Sequence, residues 1–407
     1  MLGGELSGRL RASLAEQETL LRSSLVLNPV ENVPFADDLA VVAGSLHGLY
    51  NSDKVRGREE RAATSMQFAG RQALESDSRL IYDAWADALG AADATLRLLS
   101  GLHAHIVLFM AAARPGQSVL LLPVAAGGHV SGRAIVERLG LTVIEMVVDH
   151  RAMRVDIDAT LKRCAGHRPD FVLVDRSEGL VFEDFSALAD VADRTIFDAS
   201  QYLTNIISGD HPNPFDWGFD LVVASVHKNF PGPQKALLAT RVADPPWREL
   251  LGGVSTYVSN MHVASTYAAG LTLARREWLA SYSRRMLDVA VLLEAELGRL
   301  GVPVVARATS GSPTHHIWIR EPSREEAFET YERLESCLIM TNFRLLPYGL
   351  GHGIRLGVAA AVRIGLTTDD VPRLADMIAG IRCRGATPAL RHEARRFNES
   401  IWERGWA

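Results

Sequence analysis

Leu221-Val222-Val223-Ala224-Ser225-Val226-His227-Lys228-Asn229-Phe230-Pro231-Gly232-Pro233 is an apolar run of strand length that ends on a histidine–lysine pair and breaks at a Phe-Pro-Gly-Pro turn. A run of Leu, Val and Ala without polar alternation predicts a strand covered on both faces. A lysine at the end of such a strand has a partly desolvated ammonium, which lowers its pKa and exposes a neutral amine. A neutral amine is what a Schiff base with an aldehyde needs. Upstream, Thr195-Ile196-Phe197-Asp198-Ala199-Ser200 repeats the pattern with an aspartate at the strand end. Lysine and aspartate buried at strand ends are what pyridoxal 5'-phosphate (PLP) requires. The lysine holds the aldehyde, and the carboxylate keeps the pyridine nitrogen protonated so that the ring absorbs carbanion charge.

Working outward, further strand-like runs fall at Ser118–Val124, Thr142–Val148, Phe171–Asp175 and Ala236–Thr240, with helical segments between them. Their near-continuous apolar character predicts an α/β fold with a mostly parallel sheet. Ligands of such sheets sit at the carboxyl ends of the strands, and Ser177, Asp198 and Lys228 each follow a run. Residues 5–25 read as an amphipathic helix through Leu6, Leu10, Leu14, Leu20 and Leu21. The division expected is an N-terminal helical arm (1–36), a large PLP-binding domain (37–280) and a smaller C-terminal α+β domain (281–407). That last unit ends in a polar tail, 388–407, carrying Trp402 and Trp406, either docked on a partner or loose. The charged stretch 51–65 reads as a solvated loop, with an active-site loop as the sharper alternative.

The 407 residues, 47% apolar and 22% charged, are those of a soluble enzyme with two or three core-bearing lobes. A net charge of -5 without a long basic run argues against nucleic acid. Cys164, Cys337 and Cys383 are too sparse for a disulfide framework and fit a reducing cytoplasm. No basic and apolar leader opens the chain, and no apolar stretch reaches bilayer length. No metal-ligand spacing stands out.

Three further motifs carry chemistry. Ser100-Gly101 opens a helix after a short apolar run, leaving backbone N–H groups for a phosphate; alone it reads as a plain N-cap. Gly127-Gly128-His129 lets the backbone approach a ligand and offers an imidazole to lie on a planar ring; alone it reads as a glycine-rich turn. Gly353-Ile354-Arg355-Leu356-Gly357 presents a planar fork suited to a carboxylate, or an ordinary structural arginine.

With Asp198 and Lys228, these motifs occur in the order found in serine hydroxymethyltransferase, a fold-type I PLP enzyme, and the chain resembles that family from about Leu27 to Ile381. The likeness includes Asp198-Ala199-Ser200-Gln201 and His211-Pro212-Asn213-Pro214. It implies that Lys228 forms the Schiff base with PLP, that Asp198 pairs with the ring nitrogen, and that His129 stacks on the ring. It further implies that Ser100 and Gly101 hold the phosphate and that Ser177 lies near the phenolic oxygen. Ser225 and His227 would line the lysine's strand end, with Gln201 beside the cofactor. Arg355 would receive the substrate carboxylate, with Glu31 and Tyr50 as further substrate-binding residues. Tyr50 would reach the neighbouring subunit's site, implying an obligate homodimer.

The departures bear on the reaction. The family's Tyr-Ala-Glu-Gly is Tyr50-Asn51-Ser52-Asp53 here, so its proton-handling glutamate falls on Ser52, which does not titrate near neutrality. Asp53 replaces it only if the loop shifts by one residue. The family's histidine after the ring aspartate is Gln201, which hydrogen-bonds but does not ionise. The cofactor and carboxylate clamps remain while the folate-linked machinery is gone. The reading that follows is folate-independent chemistry at Cα and Cβ of an amino acid. Its simplest form is β-elimination of a Cβ substituent such as a cysteine S-conjugate. Related enzymes of natural-product pathways, lincosamide-type antibiotics among them, set the expected context. Hydroxymethyltransferase, aldolase or transaldolase action on a β-hydroxy amino acid is the alternative, then decarboxylation or transamination; a non-catalytic PLP-fold protein has no reason to keep Lys228, Asp198 and Arg355.

Overall fold

A computed structural model of the chain describes residues 2–64, 66–308 and 311–405. Seven strands form the large sheet: β1 Asp93–Leu98, β2 Ser118–Leu121, β3 Thr142–Glu145, β4 Phe171–Val174, β5 Arg194–Asp198, β6 Leu221–Ser225 and β7 Ala236–Thr240. Across the sheet the order is β1-β7-β6-β5-β4-β2-β3. β3, β2, β4, β5 and β6 pair in parallel, and β7 runs against both its neighbours. The fold is therefore α/β with a mostly parallel sheet.

The continuous apolar runs have a direct physical consequence. Successive side chains point to opposite faces, and here both faces are dry. Val172, Val174, Val222 and Ala224 enter one core with Trp85, Phe197 and Phe230. Phe171, Leu173, Leu221 and Val223 enter another with Phe109, Val119 and Trp247. Each fully buried Val or Leu contributes about 1.5–3 kcal/mol, so the apolar middles of these strands are committed to packing. Function is pushed to the strand ends.

A second, antiparallel sheet is built from β8 His316–Arg320, β9 Asn342–Leu346 and β10 Gly351–Gly357, in the order β8-β10-β9. The helix Arg276–Arg299 buries Met286, Val289, Leu293 and Leu297 against the core that this sheet shares. Residue 280 lies inside that helix. The N-terminal segment reaches this part of the molecule too, since Leu25–Val26 pairs in parallel with Ile339–Met340.

Two expectations change. Over its described part the 388–407 tail is not loose: helix Pro388–Gly405 docks on its own chain, burying Leu390, Phe397, Ile401 and Trp402. Trp402 donates to the carbonyl of Ser24 (2.8 Å), and Asn398 donates to Ser23 and Leu338. The polar composition hid a narrow apolar stripe. Trp406 lies outside the described residues. The 51–65 stretch is only partly solvated, because Asn51 is buried and Asp53 pairs with the buried Arg97 at 2.8 Å. The N-terminal helix runs Leu2–Ser23 with Leu6, Leu10 and Leu14 exposed.

Candidate active site

The carboxyl ends of the parallel strands converge on one polar cavity. It is lined by Gly101, Leu102, His105, His129, Asp175, Arg176, Ser177, Asp198, Ser200, Gln201 and Lys228. β1 delivers Gly101, β2 His129, β4 Asp175 to Ser177, β5 Asp198 and β6 Lys228. Topology, rather than sequence proximity, brings these groups together.

Lys228 is mostly buried, and its pKa is lowered, chiefly by desolvation. The charge of Asp198 opposes that shift and the charge of Arg355 adds to it. Asn32 fixes the local backbone by donating to the carbonyl of Lys228 at 2.6 Å. Asp198 is mostly buried as well, and burial pushes its carboxyl up. The contact with His105, the charge of Lys228 and the backbone N–H of Ser200 (2.7 Å) outweigh burial and bring it down to about 2. Asp198 is thus an anion facing an amine of lowered pKa.

His129 caps the helix Val130–Arg138, its Nδ1 accepting from the backbone N–H of Ser131 at 3.2 Å. Burial first, then the charge of Lys228, lowers its pKa to about 4, so its ring is neutral at pH 7. Gly127 and Gly128 make this turn possible. A Cβ on Gly127 would lie 2.0 Å from the Glu178 carbonyl oxygen, and one on Gly128 would lie 2.1 Å from that of Leu122.

Ser100 caps the helix Gly101–Ala112 by accepting from the backbone N–H of His103 at 3.2 Å, worth about 1 kcal/mol. Gly101 leaves room beside it: a Cβ there would approach Ser225 Oγ to 2.5 Å. Ser225 is buried and tied to Ser200, whose Oγ donates to Ser225 Oγ at 3.2 Å and accepts from Ser225 N at 2.8 Å. Ser177 lines the cavity, its backbone N–H donating to Gly127. Gln201 meets the buried His316 ring at 3.3 Å, while its Nε2 has no partner among the described residues.

The other sequence-derived residues stand apart from this cavity. Arg355 lies on β10, buried, with Nε donating to Asn342 at 3.1 Å. Burial brings its pKa to about 10 against the opposing charge of Glu178, 3.7 Å away. Its charge still reaches Lys228. His227 and Glu31 line a neighbouring cavity with Asn32, Leu99 and Lys235. Burial and the charge of Lys228 lower His227 to about 4. Tyr50 turns away from the cavity: its hydroxyl donates to the Ser259 carbonyl at 2.8 Å and its ring leans on Phe68.

Several groups were not singled out from the sequence. Asp175 is fully buried and, by desolvation and then the nearby Asp198 charge, has its pKa raised well above the usual range. Arg176 sits 2.6 Å from Glu183 and donates to Tyr348. Glu178 lies between Arg344 (2.6 Å) and Arg355, with its pKa raised by burial. His105 approaches Asp198 to 2.9 Å. The available signals were positional. Asp175, Arg176 and Glu178 follow β4 as Asp198 ends β5, and His105 stands one helical turn beyond Gly101.

The residues fit PLP. They offer an amine of lowered pKa, a lasting carboxylate anion, a neutral imidazole, a side-chain-free backbone at Gly101 and an orphaned amide on Gln201.

Residues 75–248 match the family model of serine hydroxymethyltransferase. The chain is similar to serine hydroxymethyltransferase and is a divergent PLP enzyme of fold type I. Among curated relatives, serine hydroxymethyltransferase of Pyrobaculum calidifontis is 27% identical over 386 residues, 92% of this chain and 86% of the relative. That of Archaeoglobus fulgidus is 29% identical over 324 residues, 75% of this chain and 73% of the relative. In fold, the serine hydroxymethyltransferase-like chain is similar to L-threonine transaldolase from Pseudomonas fluorescens, solved in its internal aldimine state. The TM-score is 0.90 at 21% identity, covering 98% of this chain and 92% of the other. PLP is the cofactor of this serine hydroxymethyltransferase-like enzyme.

Proposed function

We propose that the chain acts without folate at Cα and Cβ of an amino-acid substrate, and that its reaction is loss of a Cβ substituent such as the thiolate of a cysteine S-conjugate. One observation carries the reading. Where the family has its proton-handling glutamate, Ser52 spends its Oγ accepting from the backbone N–H of Lys54 at 3.2 Å. Neighbouring Asp53 is held by Arg97 at 2.8 Å and by Tyr82 at 3.2 Å. Neither position therefore supplies a free carboxylate to its own chain.

Bound PLP supplies an electron sink for the pair left on Cα. The remaining tasks fall to side chains. Arg355 grips the substrate carboxylate, and its buried fork favours the anion over its loss as carbon dioxide. Lys228, released to the free amine, takes the Cα proton. The thiolate leaves with the C–S electron pair. His129 covers one face of the site as a neutral ring, and Asp198 holds a proton at the ring nitrogen. Elimination needs one base, and Lys228 is the base best placed to serve. The fold neighbour, a threonine transaldolase, favours a second reading: aldol-type exchange on a β-hydroxy amino acid.

An obligate cytoplasmic homodimer belongs to the same proposal. The turn of Tyr50 away from its own cavity supports a role across a subunit interface. Among the described residues no helix is long and apolar enough to cross a membrane. The test is a panel of amino acids given to the holoprotein with product identification. A keto acid, ammonia and a free thiol from an S-conjugate support elimination. Glycine and an aldehyde from threonine or phenylserine support the second reading, and folate-dependent conversion of serine to glycine at ordinary rates overturns both.

A further inference from the structure

His105 is a fully enclosed imidazole with no place in the chemistry so far. It stands on the helix Gly101–Ala112, one turn past the glycine that opens it, and its side chain is 4% exposed. It lines the cavity directly. Nε2 lies 2.9 Å from Asp198 Oδ2, a short contact that is not aligned as a hydrogen bond. Nδ1 has no partner among the described residues. A buried imidazole with neither nitrogen satisfied costs free energy unless something completes it. The other Asp198 oxygen, Oδ1, accepts from the backbone N–H of Ser200 at 2.7 Å. The carboxylate is thus held from two sides, by the turn after its own strand and by a ring from another element.

We propose that His105 is a positioning residue for Asp198, fixing Oδ2 so that the carboxylate stays an anion aimed at the ring nitrogen of bound PLP. The inference rests on the reading of Asp198 as the ring-nitrogen partner. The energetic case is one of geometry. A carboxylate anchored at Oδ1 alone swings about that contact and samples orientations that miss the nitrogen. The second contact, 2.9 Å between the ring edge and the carboxylate, restricts that freedom. Its removal weakens PLP only through Asp198, which separates positioning from mere packing.

The experiment is a double-mutant cycle on PLP affinity, titrating the PLP-free full chain by fluorescence quenching, with the visible absorbance of the bound cofactor as a second readout. His105→Leu is expected to raise the PLP Kd about tenfold, roughly one charged contact, and to shift the bound-cofactor absorbance. In the Asp198→Ala background the same change is expected to add nothing. His105→Gln, whose amide nitrogen reaches the place of Nε2, is expected to restore most of the affinity, and His105→Asn to fail. This pair carries the test if the leucine variant does not fold. An unchanged Kd in His105→Leu, an equal loss with and without Asp198, or equal behaviour of the Gln and Asn variants overturns the inference. A wild-type Kd in Asp198→Ala by itself overturns the ring-nitrogen reading instead, so the two failures are distinguishable.

Discussion

Gly128→Ala tests whether the His129 turn is held by sterics rather than by its sequence alone. A Cβ at this position would lie 2.1 Å from the Leu122 carbonyl oxygen and 3.0 Å from that of Pro123. Both are backbone atoms, anchored where β2 leaves the sheet, so no rotamer change relieves the overlap. The turn must move away from Pro123, whose carbonyl accepts from Gly128 N at 3.1 Å, and from Asp175, whose carbonyl accepts from His129 N at 3.2 Å. Overpacking costs about 1–3 kcal/mol, and each of the two lost hydrogen bonds adds about 1 kcal/mol, giving roughly 3–5 kcal/mol in all. The PLP-free protein should melt several degrees lower. Displacing the His129 ring from the cavity should weaken PLP by about 2–10-fold, the worth of one stacked ring. Differential scanning fluorimetry and a PLP titration read the two effects. A variant that melts with wild type and binds PLP with unchanged affinity would refute the steric argument.

Lys228→Ala should abolish turnover and the visible band of lysine-bound PLP while loose PLP binding persists; residual turnover above background contradicts its role as base. Arg355→Ala should raise KM for the amino acid with a smaller effect on kcat, and an unchanged KM removes its carboxylate role. Burial holds His129, His211 and His227 at about 4 and His315 at about 3, all below their ordinary 6.5. The unfolded chain binds protons at these sites between pH 6.5 and 4 and the folded chain does not. Stability should therefore fall as pH drops through that window, by several kcal/mol in total. Urea midpoints that stay flat from pH 7 to 5 would contradict it.

The sheet was legible because its physics is local. Val172 and Val174 face one core and Phe171 and Leu173 the other, so strand and double coverage are both written in one four-residue run. Lys228 and Asp198 were legible for the same reason, as ionisable groups ending such runs. Gly128 announced its backbone constraint through composition. What the sequence hid is pairing between distant segments. Nothing near His105 names Asp198 as its neighbour, and nothing near Asp53 names Arg97. The orientation of β7 was equally hidden, since its apolar run reads the same in either direction. The terminal helix was missed because a stripe of Leu390, Phe397, Ile401 and Trp402 is diluted by charged residues on the remaining face.

The central claim is that one amine holds the cofactor. The chain has four lysines, Lys54, Lys162, Lys228 and Lys235, of which the first two are exposed. Lys235 is a built-in competitor: it is buried, and desolvation lowers its pKa to about 7. Its Nζ, however, donates to the Met261 carbonyl at 2.7 Å, and it lines the neighbouring cavity rather than the one shared by Asp198 and His129. Borohydride reduction of the holoprotein, followed by peptide mapping by mass spectrometry, identifies the lysine that carries PLP. The phosphopyridoxyl label is expected on the peptide containing Lys228; a label on Lys235 instead, or on no lysine, would contradict the account.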